Sequence, residues 1–345
     1  MYRISYITLK QSGTKLQQDN MYSTLFLLFV GLSYVAAVEA PRKELNDGNK
    51  IPVVALGTGR GTAKGTPIDE VRQSVIWAIE AGYRHIDTAA VYNDEPQVGQ
   101  GVADVIARGV VKREELFITT KLWNDRHERQ QVVPALKESL SRLGLQYVDL
   151  FLIHFPVSTT ADGTANDIDY LDTWKGMEEA KQLGLTKSIG VSNFNSSQID
   201  RLVANSQIKP AINQIEVNPT LTQESLVSHC QDLGIAVMAY SPFGFLVSRK
   251  NADAPPPRAD DPALVAMAQK YRKSTGQIVL KYLVQRGLIP IPKSTNKSRI
   301  SENINLFDFE LSKEELATIS KFNKNVRVIN PESWKKYPNY PFVEY

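Results

Sequence analysis

Eight short apolar runs of β-type composition, separated by stretches with helical spacing, organise the chain from Val53 to Ser294. The runs are Val53–Leu56, Tyr83–Asp87, Leu116–Lys121, Val148–His154, Lys187–Ser192, Ala211–Val217, Ile235–Ser241 and Leu288–Ser294. Between them, apolar residues recur every three or four positions. Val71, Val75, Ala78 and Ile79 do so ahead of Gly82, and Val132, Leu136, Leu140 and Leu143 ahead of Gly144. Eight strands each followed by a helix, with no linker-like stretch, predict a single α/β domain built as a (β/α)8 TIM barrel. An open doubly wound sheet would need a glycine fingerprint directly after its first strand. The run Gly57-Thr58-Gly59-Arg60-Gly61-Thr62 has the wrong spacing for it, and Gly61-Thr62-Ala63-Lys64 lacks the glycine that a P-loop needs before its lysine. This stretch therefore reads as a first loop at the barrel mouth. Upstream, Leu45-Asn46-Asp47-Gly48 is a turn signal that should close an N-terminal β-hairpin ahead of the first barrel strand.

Composition narrows the function. With 345 residues, 42% hydrophobic and 22% charged, the chain can bury a sizeable core. Its formal charge of +3 is too small to make nucleic acid the main partner. Cys230 is the single cysteine, so an intramolecular disulfide is excluded. The four histidines are scattered without ligand spacing, so no metal site is expected. Leu25 to Val38 reads LFLLFVGLSYVAAV, an apolar run that is short for a membrane span and suited to a signal-peptide core, with Met21 as an alternative start. We expect residues 1–37 to form a leader with a cleaved signal peptide and residues 41–345 to form the barrel. That places the protein in the secretory pathway, without a stable membrane span. An uncleaved leader or a cytoplasmic protein is the alternative.

In such a barrel the chemistry gathers where strands end. The runs close on Asp87, Lys121, His154, Ser192-Asn193, Tyr240-Ser241 and Lys293-Ser294, with Gln214 and Glu216 inside the sixth. An acid, a lysine and a histidine from the second, third and fourth strands, with Tyr92 five residues beyond the acid, make an acid–base site. The tyrosine's ordinary pKa near ~10 is too high for easy exchange at neutral pH, and a lysine ammonium beside it should favour the phenolate.

These residues carry a resemblance. Gly82-Tyr-Arg-His-Ile-Asp-Thr-Ala-Ala-Val-Tyr92, followed by Asn93-Asp94-Glu95, is similar to the signature of the aldo-keto reductase family. Thr120-Lys121-Leu122-Trp123, Leu150-Phe-Leu-Ile-His154, Ile189-Gly-Val-Ser-Asn-Phe194, Asn213-Gln214, Ile291-Pro-Lys-Ser294 and Tyr340-Pro-Phe342 agree in order. The resemblance implies NADPH-dependent reduction of a ketone or aldehyde, with Asp87, Tyr92, Lys121 and His154 as the catalytic tetrad and Tyr92 as proton donor. It assigns cofactor contacts to Thr58, Asp87, Ser192, Asn193, Gln214, Tyr240, Ser241 and Phe243. Lys293, Ser294, Thr295 and Arg299 match the loop around the 2′-phosphate, and Glu302 and Asn303 match adenine contacts. Two cations facing a dianionic phosphate favour NADP(H).

Phe245 stands where relatives often have serine, and Asp94 replaces the usual asparagine, adding a charge expected near the mouth. Trp123, Phe155 and Phe243, with Trp334, Tyr337 and Tyr340 of the C-terminal substrate-loop tail, should line a pocket for a flat or elongated carbonyl compound. The loop Ala252 to Pro262 reads as a cover over the cofactor. The leader makes the chain resemble the insect members of the family that reduce 3-dehydroecdysone. A broad-specificity aldehyde reductase and a non-catalytic NADPH-binding subunit are the rival readings. A monomer is expected, and the sequons are Asn195-Ser-Ser197 and Asn296-Lys-Ser298.

Overall fold

The computed structural model describes residues 39–59, 69–247 and 255–342. The leader over 1–37, the mouth-loop segment 60–68 and the first part of the proline-rich loop, through residue 254, lie outside the described residues. The eight expected strands are present. They are β1 (Leu56–Gly57), β2 (His85–Asp87), β3 (Phe117–Leu122), β4 (Val148–Ile153), β5 (Thr186–Ser192), β6 (Ile212–Glu216), β7 (Ala236–Tyr240) and β8 (Ile289–Pro290). Each pairs in parallel with its sequence neighbours. The ends of the sheet meet where Ala55 N–H donates to Pro290 O at 3.1 Å and Gly57 N–H to Pro292 O at 3.0 Å, beside a parallel bridge between Gly57 and Lys293. The architecture is the expected (β/α)8 barrel.

Alternation along the strands divides the apolar residues into two shells. Phe117, Leu150, Leu152, Ala236 and Met238 pack inside the barrel, while Ile118, Phe151, Ile153, Val237 and Ala239 face the helices. The hairpin Arg42–Glu44 with Lys50–Pro52 turns at Gly48, which holds φ +84°, as the Asn-Asp-Gly signal requires. Its Leu45 and Ile51 join the inner shell beside the first residues of several strands, so the hairpin closes the N-terminal end.

The helices are α1 (Glu70–Glu80), α2 (Glu95–Ala107), α3 (Arg129–Leu143), α4 (Tyr170–Gln182), α5 (Ser196–Ala204), α6 (Glu224–Asp232), α7 (Pro262–Tyr271), α8 (Thr275–Gln285), α9 (Lys297–Ile304) and α10 (Lys313–Ser320). In α3 the stripe Val132, Leu136, Leu140 and Leu143 is buried, as its spacing predicts. Gly176 lets α4 lie close to α3, because a Cβ there would meet Val132 and the Arg129 carbonyl. Among the described residues no helix is long and apolar enough to cross a membrane.

Candidate active site

Lys121 is the centre of the site. It sits near the end of β3, points into the barrel and is fully buried. An ammonium so placed needs acceptors, because burial alone disfavours its charge. The barrel supplies three. Nζ donates to Asp87 Oδ1 at 2.6 Å, to the Thr88 carbonyl at 2.9 Å and to Tyr92 Oη at 3.4 Å. Burial lowers the lysine's pKa, but Asp87 and Tyr92 outweigh it and hold the group above its ordinary value. Asp87, at the end of β2, is fixed in turn by Gln214 of β6, whose Nε2 donates to Oδ2 at 2.7 Å.

Tyr92 closes a short 3-10 turn, Ala90–Tyr92, that carries its ring over the lysine, with Nζ 5.0 Å from the ring centroid. Burial raises the tyrosine's pKa and Lys121 lowers it, with a net position above the ordinary value. The sequence alone shows only the lysine's effect. In the folded chain desolvation wins, and the phenol keeps its proton at neutral pH. His154 follows β4, with its ring 5.6 Å from that of Tyr92 and nearly perpendicular to it at 82°. Burial and then Lys121 push its imidazole well below the ordinary value, so it is neutral, and its Nδ1 has no hydrogen-bond partner among the described residues. A neutral ring can orient a carbonyl oxygen by hydrogen bonding, while Tyr92 is the group with a proton to give.

The amide set lies beside this tetrad. Asn193 Nδ2 donates to the His154 carbonyl at 2.9 Å, Ser192 Oγ to the Gln214 carbonyl at 2.8 Å, and Tyr240 Oη to Asn193 Oδ1 at 2.7 Å. Thr58 follows β1, and its N–H donates to the Asp87 carbonyl at 3.0 Å. Ser241 and Phe243 lie in the loop after β7. Beyond β8, Lys293 and Arg299 are exposed on either side of Ser294 and Thr295, at the start of α9, where Asn296 Oδ1 accepts the Arg299 N–H at 3.0 Å. Two cations, two hydroxyls and a helix start suit a phosphate, so the residues present fit the expected NADP(H). Asn303 is buried on the inner side of α9, whereas Glu302 is exposed.

Trp123 and Phe155 stand over the histidine, with ring centroids 5.1 and 5.5 Å from His154. Trp334 of the tail packs on both, at 6.1 Å from Trp123 and 5.2 Å from Phe155. Phe243 is apart from this cluster. It lies by Gly276 of α8 and makes no ring contact among the described residues. Tyr337 reaches the Gly163 carbonyl at 3.2 Å, and Tyr340 packs on Phe342.

Phe245 is buried, with its carbonyl accepting from Arg258 at 3.3 Å. Asp94 is not at the mouth surface. It is buried and accepts the Thr88 hydroxyl at 2.7 Å, because the turn into α2 points it inward. Sequence reasoning gave no part to Thr88, which bridges Asp94 and Lys121. Its position directly after Asp87 was the available signal.

Comparison with known proteins agrees with this geometry. The model of the aldo/keto reductase family matches residues 53–324. The chain is 71% identical over 306 residues to the Bombyx mori aldo-keto reductase AKR2E4, covering 88% of this chain and 99% of that protein. The crystal structure of AKR2E4 in complex with NADP superposes with a TM-score of 0.87 at 70% identity, covering 89% of this chain and 100% of that one. The structure of the silkworm aldo-keto reductase AKR2E5 complexed with NADPH gives 0.87 at 47% identity, covering 89% and 94%.

Proposed function

Because the chain belongs to the aldo/keto reductase family, we propose that it reduces a bulky ketone, an ecdysteroid such as 3-dehydroecdysone or another steroid ketone, at the tetrad of Asp87, Tyr92, Lys121 and His154. The protein is an NADP-dependent oxidoreductase acting on carbonyl groups. NADP(H) supplies the hydride when bound. The chain's own residues do the rest. Ser192, Asn193, Gln214 and Tyr240 would hold the nicotinamide end, and Lys293, Ser294, Thr295 and Arg299 the phosphate end. His154 orients the carbonyl oxygen, Tyr92 gives it a proton, and the Lys121 ammonium at 3.4 Å steadies the phenolate left behind.

The chain of contacts Asp87–Lys121–Tyr92 carries the reading, since a cofactor-binding subunit would have no use for a proton donor so placed. The wall of Trp123, Phe155, Trp334 and Phe342 supports a large apolar substrate. A monomer is part of the same proposal. The secretory reading rests on the leader alone. It requires Asn296, beside the phosphate loop, to remain without a glycan.

NADPH oxidation by the chain starting near Val38, offered 3-dehydroecdysone beside aliphatic and aromatic aldehydes, tests the substrate. Selective turnover of the steroid supports the proposal, and broad aldehyde turnover replaces it with a detoxifying reductase. Tyr92→Phe should bind NADPH as the parent does and lose carbonyl reduction by at least about a hundredfold. Retention of most turnover by that variant would overturn the role of Tyr92.

A further inference from the structure

Glu216 is a fully buried carboxylate that the reaction does not use. It ends β6, and its two oxygens face a segment more than a hundred residues away. Oε1 accepts the Val328 N–H at 2.7 Å and Oε2 the Ile329 N–H at 2.9 Å, while Asn218 Nδ2 adds a third bond at 3.0 Å. Val328 and Ile329 begin the stretch that crosses the barrel mouth and brings Trp334 and Phe342 against Phe155, at 5.2 and 6.4 Å. Arg327, next in chain, lays its guanidinium 4.0 Å above the Phe342 ring.

Arg327 also donates to Gln223 Oε1 at 3.4 Å, and the following ties of the segment are neutral. Lys324 and Val326 N–H reach the Thr220 carbonyl at 3.1 and 3.2 Å, Gln198 holds the Asn339 carbonyl at 2.8 Å, and Asn195 the Pro341 carbonyl at 3.1 Å. Bonds to an ionised acceptor are roughly twice as strong as neutral ones. A buried carboxylate stripped of its donors is moreover costly, so the barrel itself resists lifting of the segment. A groove of about 1280 Å³ borders the segment, lined among others by Asn193, Gln223, Arg327 and Phe342.

We propose that Glu216 is the latch that seats the C-terminal segment over the barrel mouth and thereby sets which carbonyl compounds are accepted. It is a positioning residue, acting through Trp334 and Phe342, and the proposal rests on the carbonyl-reductase reading. Large substrates that reach those rings depend on the latch. Small ones that touch only Tyr92 and His154 do not.

Steady-state kinetics of the full enzyme with NADPH, using 2-naphthaldehyde and propanal as probes, test it. Glu216→Gln sets an NH2 against a backbone N–H. Ile329→Pro deletes one donated N–H from the segment side and leaves the barrel intact, with Ile329→Ala as its control. In both latch variants KM for naphthaldehyde should rise about tenfold, the loss of one charge-assisted bond, while KM for propanal and the NADPH Kd change less than about twofold. Ile329→Ala should match the parent. Equal shifts for the two aldehydes, or none, overturn the latch. Should Glu216→Gln not fold, Ile329→Pro decides alone. Where the parent turns over neither aldehyde, 3-dehydroecdysone takes the place of the large probe and an unchanged KM for it in both latch variants overturns the latch, whereas a parent that oxidises NADPH with none of the three compounds would instead sink the reductase reading.

Discussion

Asp94 shows how one side chain can alter a site it does not touch. The sequence marks it as a departure from the family pattern, but nothing in its spacing says whether it faces water or the lysine. The turn into α2 decides that, and the aspartate ends beneath Thr88, whose carbonyl accepts from Lys121. Its charge adds to the forces that hold the Tyr92 phenol protonated. The tetrad was legible because each member closes a strand or a short turn and belongs to a contiguous motif. The pins behind it, Gln214 on Asp87 and Asp94 on Thr88, were not, since they depend on registers between distant segments. Asp94→Asn keeps an oxygen for the Thr88 hydroxyl and removes the charge. The Tyr92 pKa should fall, so carbonyl reduction should decline at a lower pH on the alkaline side, while activity at neutral pH changes little. A pH profile of kcat/KM that superposes on the parent's would refute this coupling.

Among the elements, the long strands were read well and the short ones poorly. β3 through β7 match their apolar runs within a residue or two, because inward and outward faces are both buried and the run is unbroken. The first strand was expected at Val53–Leu56 but pairs only at Leu56–Gly57. Val53 N–H is drawn to Pro41 O in the hairpin and Ala55 N–H to Pro290 O in the last strand, so these residues serve two neighbours and form no regular ladder. The cofactor end is organised by α9, whose cap Asn296 sets the first turn and leaves the Arg299 guanidinium exposed without an ion pair among the described residues. Arg299→Ala should weaken NADPH binding about tenfold or more, the scale of a charge-assisted bond, and NADH binding hardly at all. Titration of both nucleotides by fluorescence checks this, and equal losses would remove Arg299 from the 2′-phosphate.

For the molecule as a whole, acid is the predictable threat. Burial holds the imidazoles of His85 and His127 near pKa 3, and neither ring nitrogen of His127 has a hydrogen-bond partner among the described residues. Unfolded, each returns to about 6.5. Between those values the unfolded chain binds more protons than the folded one, so stability is full above about pH 6.5 and is lost as pH falls toward 3. The midpoint of thermal unfolding should therefore drop from pH 7 to pH 4, and His127→Phe, which fills the same space without a titrating group, should flatten that drop. An unchanged slope would assign the acid lability elsewhere. Of the residues assigned to NADP(H), Thr58 stands on one flank of the place where β1 meets β8 and Lys293 to Arg299 on the other, and among the described residues two hydrogen bonds and one bridge join the strands there. The barrel is thus a hoop with a short clasp, and a dinucleotide gripping both flanks would fasten it from outside, so that carrying the cofactor and withstanding heat become a single property.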